Sequence, residues 1–132
     1  MGKKLNTEFL AAYIELDAAC SELLELKRGG ITEYINRLKE NKSIPQRDEA
    51  LSKLGSYRRT RNKLAHEEGA LSDIDNIDKA DIRWLKDFKK SVTKRKDPIS
   101  LFNKPTNAFK TRVAIIAAAV AVIAIIIILL IK

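Results

Sequence analysis

Apolar residues recur at intervals of three and four positions through most of residues 1–96, which is the spacing of one face of an α-helix. No stretch alternates between apolar and polar residues for long enough to predict a β-strand. Short polar or glycine-containing breaks divide the pattern into four segments. We therefore predict an all-α fold, with a small antiparallel four-helix bundle as a domain over residues 1–96.

The four helices have recognisable ends in the sequence. Asn6 or Thr7 is predicted to cap the first helix, and Gly29 with Gly30 is predicted to end it. The fourth helix has three candidate caps within residues 75–78. The predicted helices span residues 6–28, 32–40, 45–68 and, after one of those caps, the residues up to 96.

The pattern changes completely at residues 113–131, where 19 residues are apolar without interruption and carry no charge. As a helix this run is about 28 Å long, close to the thickness of a bilayer's hydrocarbon core. A helix that is apolar on every face needs a large protein around it, and the preceding 112 residues are too few to bury it. The run is thus predicted to be a transmembrane helix, which at this end of the chain would make a single-pass tail anchor.

Charge gives the expected orientation. The chain has 25 Lys and Arg against 17 Asp and Glu, a formal net charge of +8. Lys104, Lys110 and Arg112 precede the apolar run, so its N-terminal side is predicted to be cytoplasmic.

Cys20 is the only cysteine, which argues against a disulfide-stapled secreted domain. One cysteine and one histidine offer no familiar metal-ligand spacing, and we expect no cofactor.

Residues 97–112 connect the predicted bundle to the apolar run. They contain Pro98 and Pro105 and show no helical periodicity, so we expect a basic juxtamembrane linker. Further cations lie just before it, at Lys86, Lys89, Lys90, Lys94, Arg95 and Lys96. Such a cluster beside a membrane predicts contact with anionic lipid headgroups, and RNA binding is the alternative explanation of the same charge.

The third helix contains an arginine where an apolar residue is expected. On a helical wheel Arg61 lies within about 60° of its apolar residues; these are Ala50, Leu54, Tyr57, Leu64 and Ala65. A guanidinium placed there must meet an anion or line a wet cleft. His66 falls about 140° away from Arg61. Either the two act together, or Arg61 pairs with Glu15 or Glu22 of the first helix and His66 is a surface or capping residue.

The segment from Arg61 to His66 reads R-N-K-L-A-H, an R-x4-H motif with Asn62 after the arginine. Near the end of a long helix in a small all-α domain, this motif resembles the HEPN superfamily, over roughly residues 5–96. The resemblance implies a domain that works as a homodimer, with two motifs facing one cleft. Many HEPN proteins are metal-independent endoribonucleases of toxin or antiviral systems, with a cognate antitoxin or sensor.

Carried onto this chain, the resemblance implies that Arg61, Asn62 and His66 are catalytic. His66 would move protons at the RNA 2′-hydroxyl or the leaving oxygen, Arg61 would neutralise charge on the phosphoryl group, and Asn62 would orient the phosphate or the histidine. Glu68 stands where some HEPN toxins have a modified tyrosine, which argues against that mode of regulation. Other HEPN domains are inactive, so a non-catalytic membrane-tethered adaptor remains an alternative, as does a protein whose membrane helix itself carries the function.

Overall fold

The computed structural model of the chain describes residues 2–66, 77–104 and 107–131, and within these residues every regular element is a helix. The predicted all-α fold is therefore confirmed. The chain divides into two compact units, Met1–Phe102 and Asn103–Lys132. The helices are α1 (Gly2–Leu23), α2 (Gly30–Glu40), α3 (Arg47–His66), α4 (Lys79–Thr93), α5 (Pro98–Asn103) and α6 (Asn107–Ile131).

The first unit is a bundle in which α1 packs most extensively on α4 and on α2, while α2 packs on α3. Aromatic rings join all four helices through the core. The ring centroids of Phe9 on α1 and Tyr57 on α3 lie 5.7 Å apart in an edge-on arrangement, and Trp84 stacks on Phe88 of α4 at 4.8 Å. Tyr34 of α2 meets Phe88 edge-on. Contacts of this kind add to the apolar area that each ring buries.

The predicted start and end of the first helix are both wrong. The helix starts at Gly2, so Asn6 does not cap it and is instead buried on its inner face. It ends at Leu23 because the chain must turn back early. Glu25 adopts a left-handed conformation, and the amide of Leu26 donates to the carbonyl of Ser21 (2.8 Å), which closes the last turn.

Gly30 explains this early turn. A Cβ atom at Gly30 would lie 2.2 Å from the backbone nitrogen of Ser21 and 2.5 Å from the carbonyl oxygen of Asp17. The first residue of α2 therefore lies directly against the backbone of α1, and only glycine fits there. Because α2 begins beside residues 17–21 of α1, the chain has to leave α1 several residues before the predicted end.

One of the candidate caps of α4 is confirmed, whereas α3 begins two residues later than the predicted residue 45. Pro45 precedes α3 by two residues, and the guanidinium of Arg47 donates to the carbonyl of Leu38 at the end of α2 (2.6 Å). Asp78 caps α4, and Asp81 bonds back to its amide in a capping box. The other two candidate caps, in residues 75–76, and the predicted end of α3 at residue 68 lie outside the described residues.

Part of the predicted linker is helical. Pro98 opens α5, where its missing amide hydrogen costs nothing, and Asp97 caps it by accepting from the amide of Ser100 (3.2 Å). Asp97 is fully buried, and the Oδ2 atom that accepts from Ser100 also accepts from the hydroxyl of Tyr34 (2.5 Å). The same hydroxyl accepts from the amide of Ile99 (3.2 Å). Residues 97–99 are thereby fastened to the bundle core.

The second unit contains α6, which begins at Asn107, six residues before the apolar run. Its residues 112–131 are long and apolar enough to cross a bilayer, and none of them is buried against the rest of the chain. A core helix of a soluble protein would be mostly buried, whereas residues 112–131 are not. Their exposure agrees with the transmembrane helix that the sequence predicts.

Candidate functional site

The cations of α3 line a cleft in the first unit. The cleft is bordered by α1, by the start of α2 and by the second half of α3, and its volume is about 370 Å³. We call it the arginine cleft. Its cations are Arg28, Arg58 and Arg61, and the other residues that line it are Tyr13, Ile14, Asp17, Gly29, Thr32 and Asn62.

The shape of the arginine cleft follows from the close approach of α1 and α2. Asp17 is its only lining carboxylate, and its Oδ1 accepts from the amide of Ile31 (2.9 Å), so it caps α2 from the neighbouring helix. Gly29 supplies the left-handed turn (φ 74°) that brings Arg28 to the rim. With Asp17 engaged by the helix end, the positive charge of the arginines exceeds the negative charge of the lining.

Arg61 and Arg58 are half-buried, and neither has an ion pair in the described part of the chain. The guanidinium of Arg61 donates to the side-chain oxygen of Asn62 (3.1 Å). A half-buried guanidinium without a carboxylate partner keeps most of its hydrogen-bond donors for a ligand, because five N–H groups are available and one is used here. An anion that fits the cleft would satisfy them.

Tyr13 reports on the electrostatics of the cleft. Burial raises the pKa of Tyr13 to about 12, and the nearby carboxylate of Asp17 adds to that rise. The positive charges of Arg61 and Arg58 act on the same hydroxyl in the opposite direction. Tyr13 therefore stays protonated at ordinary pH, and its hydroxyl lies within the field of two arginines.

A second cleft of about 400 Å³ adjoins the first, and the two share Arg58 and Asn62. It adds Lys39 of α2 and Arg59 of α3 to the cationic lining. Together the two clefts place five cations along one surface of α1, α2 and α3. Such an arrangement suits an extended polyanion better than a single small anion, because the positive charge continues from one cleft to the next.

The structure brings together two of the three predicted site residues. Arg61 is half-buried, lines the arginine cleft and donates a hydrogen bond to Asn62 there. His66 is exposed at the last residue of α3 and does not line either cleft. The alternative in which Arg61 pairs with Glu15 is not observed, since Glu15 pairs with Lys89 of α4 (3.4 Å).

Arg28 and Arg58 were not singled out in the sequence. Arg58 could have been found, because it precedes Arg61 by three positions and Asn62 by four, which places all three on one helix face. Arg28 could not, since it reaches the cleft only because α2 folds back against α1. No group of three His, Cys, Asp or Glu side chains that could hold a metal ion occurs within residues 2–66, 77–104 and 107–131.

Comparison with known proteins gives one match. A family model described as "Family of unknown function (DUF6548)" matches residues 7–113, well over half of the chain, and the chain therefore belongs to this family. The matched residues contain the bundle, apart from the first five residues of α1, and the connection to the apolar run. No curated protein matches the chain, and no solved structure does.

Proposed function

We propose that this DUF6548 member is a membrane-anchored, HEPN-like endoribonuclease of a toxin or defence system, which holds RNA phosphates in the arginine cleft and requires no metal ion. The observation that carries the proposal is the cleft itself. Arg28, Arg58 and Arg61 line it together with Asn62, and the arginines have no ion pair in the described residues.

The membrane part of the proposal rests on α6. Its apolar side chains remain uncovered by the rest of the chain, and burying them in a bilayer removes that apolar surface from water. Lys104, Lys110 and Arg112 lie on its N-terminal side. By the positive-inside rule the bundle faces the cytoplasm, where RNA is present.

RNA is the polyanion that this surface suits. Arginine binds phosphate oxygens through two parallel N–H donors, which a half-buried guanidinium can offer in a fixed orientation. Tyr13 is the one aromatic residue that lines the arginine cleft, and its ring is buried, so base stacking contributes little there. We therefore expect recognition of the phosphate backbone, with strong dependence on salt and weak dependence on sequence.

The proposed reaction uses the nucleophile that RNA carries itself. His66 accepts the proton of the 2′-hydroxyl, the 2′-oxygen bonds to phosphorus, and the bond from phosphorus to the 5′-oxygen breaks. The 5′-oxygen takes a proton from the second, protonated histidine of the proposed dimer, so the products are a 2′,3′-cyclic phosphate and a 5′-hydroxyl. Arg61 stabilises the charge on the phosphoryl oxygens, and Asn62 holds the guanidinium or the phosphate in place.

Arg61 and His66 of one chain point away from each other, about 140° apart on an ideal helix. We infer that a second copy completes the site, so that the histidines of both protomers face one shared cleft. The face of α3 that a second copy would meet is open, because Asn62, Lys63, Ala65 and His66 are exposed. A monomer at tens of micromolar in detergent would contradict this arrangement.

A non-catalytic adaptor is the second candidate, and one observation favours it. His66 is exposed, and the described residues provide no hydrogen bond to orient its ring. A histidine that transfers protons usually has such a partner. In the adaptor the arginine cleft would still bind RNA or another phosphate-rich ligand, but the chain would release it unchanged.

The test uses the full chain in detergent or nanodiscs, with single-stranded RNA and EDTA. We expect cleavage to a 2′,3′-cyclic phosphate with a bell-shaped pH profile, because one histidine must be neutral while its counterpart is charged. His66→Ala should lower the rate about 100-fold or more. Arg61→Lys should not restore the activity that Arg61→Ala loses, because a lysine cannot make the planar two-pronged contact.

Arg37→Ala is the matched control, because Arg37 is a half-exposed arginine on α2 that pairs with Glu33 outside the cleft. It should leave cleavage unchanged. Cleavage that persists in His66→Ala, or that requires Mg²⁺, contradicts the mechanism. RNA binding that depends on Arg61 without any cleavage identifies the adaptor instead.

A further inference from the structure

A second cationic surface lies on α4, away from the arginine cleft. We call it the lysine face; its members are Lys86, Lys89, Lys90 and Lys94. Lys86, Lys90 and Lys94 follow one another at every fourth position, so they lie along one side of the helix. The other side of α4 is buried in the core through Ile82, Leu85, Phe88 and Val92.

Most of the charge on this face is uncompensated. Glu15 of α1 pairs with Lys89 (3.4 Å), and it is the one carboxylate among the residues that line this surface. Lys86, Lys90 and Lys94 are exposed, and none of them has an ion pair in the described part of the chain. Flexible, exposed ammonium groups attract a charged surface without requiring a particular geometry.

Exposed apolar side chains lie close to this face along the chain. Within the first unit the described residues contain four large hydrophobic residues that are exposed, namely Ile14, Leu26, Leu101 and Phe102. Leu101 and Phe102 are each 41% exposed and adjacent, at the point where the chain leaves the bundle towards α6. Apolar and aromatic residues flanked by cations are typical of the interfacial layer of a membrane.

The distance between the bundle and the membrane helix is limited by the chain. Residues 97–99 are held in the core through Asp97 and Tyr34, and the candidate membrane span of α6 begins at Arg112. Even fully extended, residues 100–111 reach only about 40 Å. The bundle therefore stays within about 40 Å of the headgroup layer whenever α6 is inserted, so the lipid concentration that the lysine face experiences is high.

We propose that the lysine face, together with Leu101 and Phe102, docks on the anionic headgroups of the membrane that holds α6. The inference rests on the membrane-anchored part of the proposed function, and it is independent of any ribonuclease activity. Each lysine within reach of an anionic surface favours the docked state about fivefold. Docking leaves the arginine cleft, which lies on α1, α2 and α3, to bind its own ligand.

The first experiment measures lysine reactivity in the full chain, reconstituted in nanodiscs of phosphatidylcholine with or without phosphatidylglycerol. Amine acylation followed by peptide mass spectrometry should show that Lys86, Lys90 and Lys94 react several-fold more slowly in the anionic discs. Lys42 and Lys53 are exposed lysines outside α4 and serve as controls, with unchanged rates expected. Equal rates at Lys90 in both discs would overturn the proposal, as would protection that appears only when RNA is added.

The second experiment places an environment-sensitive fluorophore by Phe102→Cys, which is feasible because the native Cys20 is fully buried. Its emission should indicate an apolar environment in anionic discs and an aqueous one after Lys86, Lys90 and Lys94 are all changed to Gln. Leu26→Cys, at an apolar residue of similar exposure that follows α1 and lines neither cleft, should stay aqueous throughout. A chain that is not retained in the discs would overturn the anchor and the docking together. Retention with an aqueous label at position 102 would overturn docking alone.

Discussion

The arginine cleft and the lysine face carry charge of the same sign but hold it in different ways. In the cleft, Arg58 and Arg61 are half-buried, and Arg61 is held by a hydrogen bond to Asn62. On the lysine face, Lys90 and Lys94 are exposed and have no ion pair in the described residues. The positive charge of the two surfaces does not distinguish them, whereas the burial and hydrogen bonding of their cations do.

The comparison shows that the surroundings of a cation decide which anion it suits. Guanidinium groups held within a cleft recognise the planar geometry of a phosphate, whereas mobile ammonium groups respond to the average potential of a surface. The fold separates the two because α1, α2 and α3 form the cleft, while α4 presents its lysines on the side opposite its core residues. The two proposals therefore differ in ligand, with RNA proposed for the cleft and lipid for the lysine face.

The largest expected loss of folding free energy comes from a substitution at Gly30, where α2 packs against α1 beside the cleft. Gly30→Ala places a methyl group against the backbone of α1, where neither partner can move aside, and should cost about 3 kcal/mol of folding free energy. Gly29→Ala is the matched control, because its Cβ meets open space and only its left-handed backbone is strained, at about 1 kcal/mol. Urea unfolding followed by the fluorescence of the single tryptophan, Trp84, measures both values. Equal losses would mean that the close approach of α2 to α1 is wrong.

A smaller loss of folding free energy is expected at the hydrogen bonds that hold residues 97–99 on the bundle core. Tyr34→Phe leaves the buried amide of Ile99 without its partner and removes one hydrogen bond from Asp97, which should cost about 2 kcal/mol. It should also allow residues 97–99 to leave the core, which the hydrogen exchange of those amides would report. RNA affinity should not change, since Tyr34 does not line either cleft. A loss of RNA affinity equal to that of Arg61→Ala would contradict the separation of the two surfaces.

The smallest effect is a pKa shift inside the cleft. The positive charge of Arg61 lowers the pKa of Tyr13, so Arg61→Ala should raise it above its present value of about 12, while Lys90→Ala should leave it unchanged. The pKa of Tyr13 is higher in the folded chain than in the unfolded chain, so its contribution to stability is complete below about pH 10 and is lost as the pH rises towards 12. Ultraviolet titration, with Tyr13→Phe as the reference, measures the shift. A fall in the pKa in Arg61→Ala would place Arg61 away from Tyr13.

The sequence predicted the helices well because their apolar faces repeat with helical spacing, and the same spacing singled out Arg61, which lines a cleft in the structure. It failed where a contact joins distant residues. The bond from Tyr34 to Asp97 spans 63 positions, so residues 97–103 were expected to be an irregular linker although α5 is held in the core. The early end of α1 likewise depends on Gly30 lying against Asp17, which no local pattern reveals.

The measurement that tests the account most directly compares two variants that each remove two positive charges. Single-stranded RNA binding to the full chain is followed by fluorescence anisotropy over a range of salt concentrations. Changing Arg58 and Arg61 to Ala should weaken binding at least about tenfold and reduce the slope against log salt by about 1.4, the value for two lost phosphate contacts. Changing Lys86 and Lys90 to Gln should alter affinity less than about twofold. Equal losses in the two variants, or a larger loss on the lysine face, would show that the arginine cleft is not the RNA site.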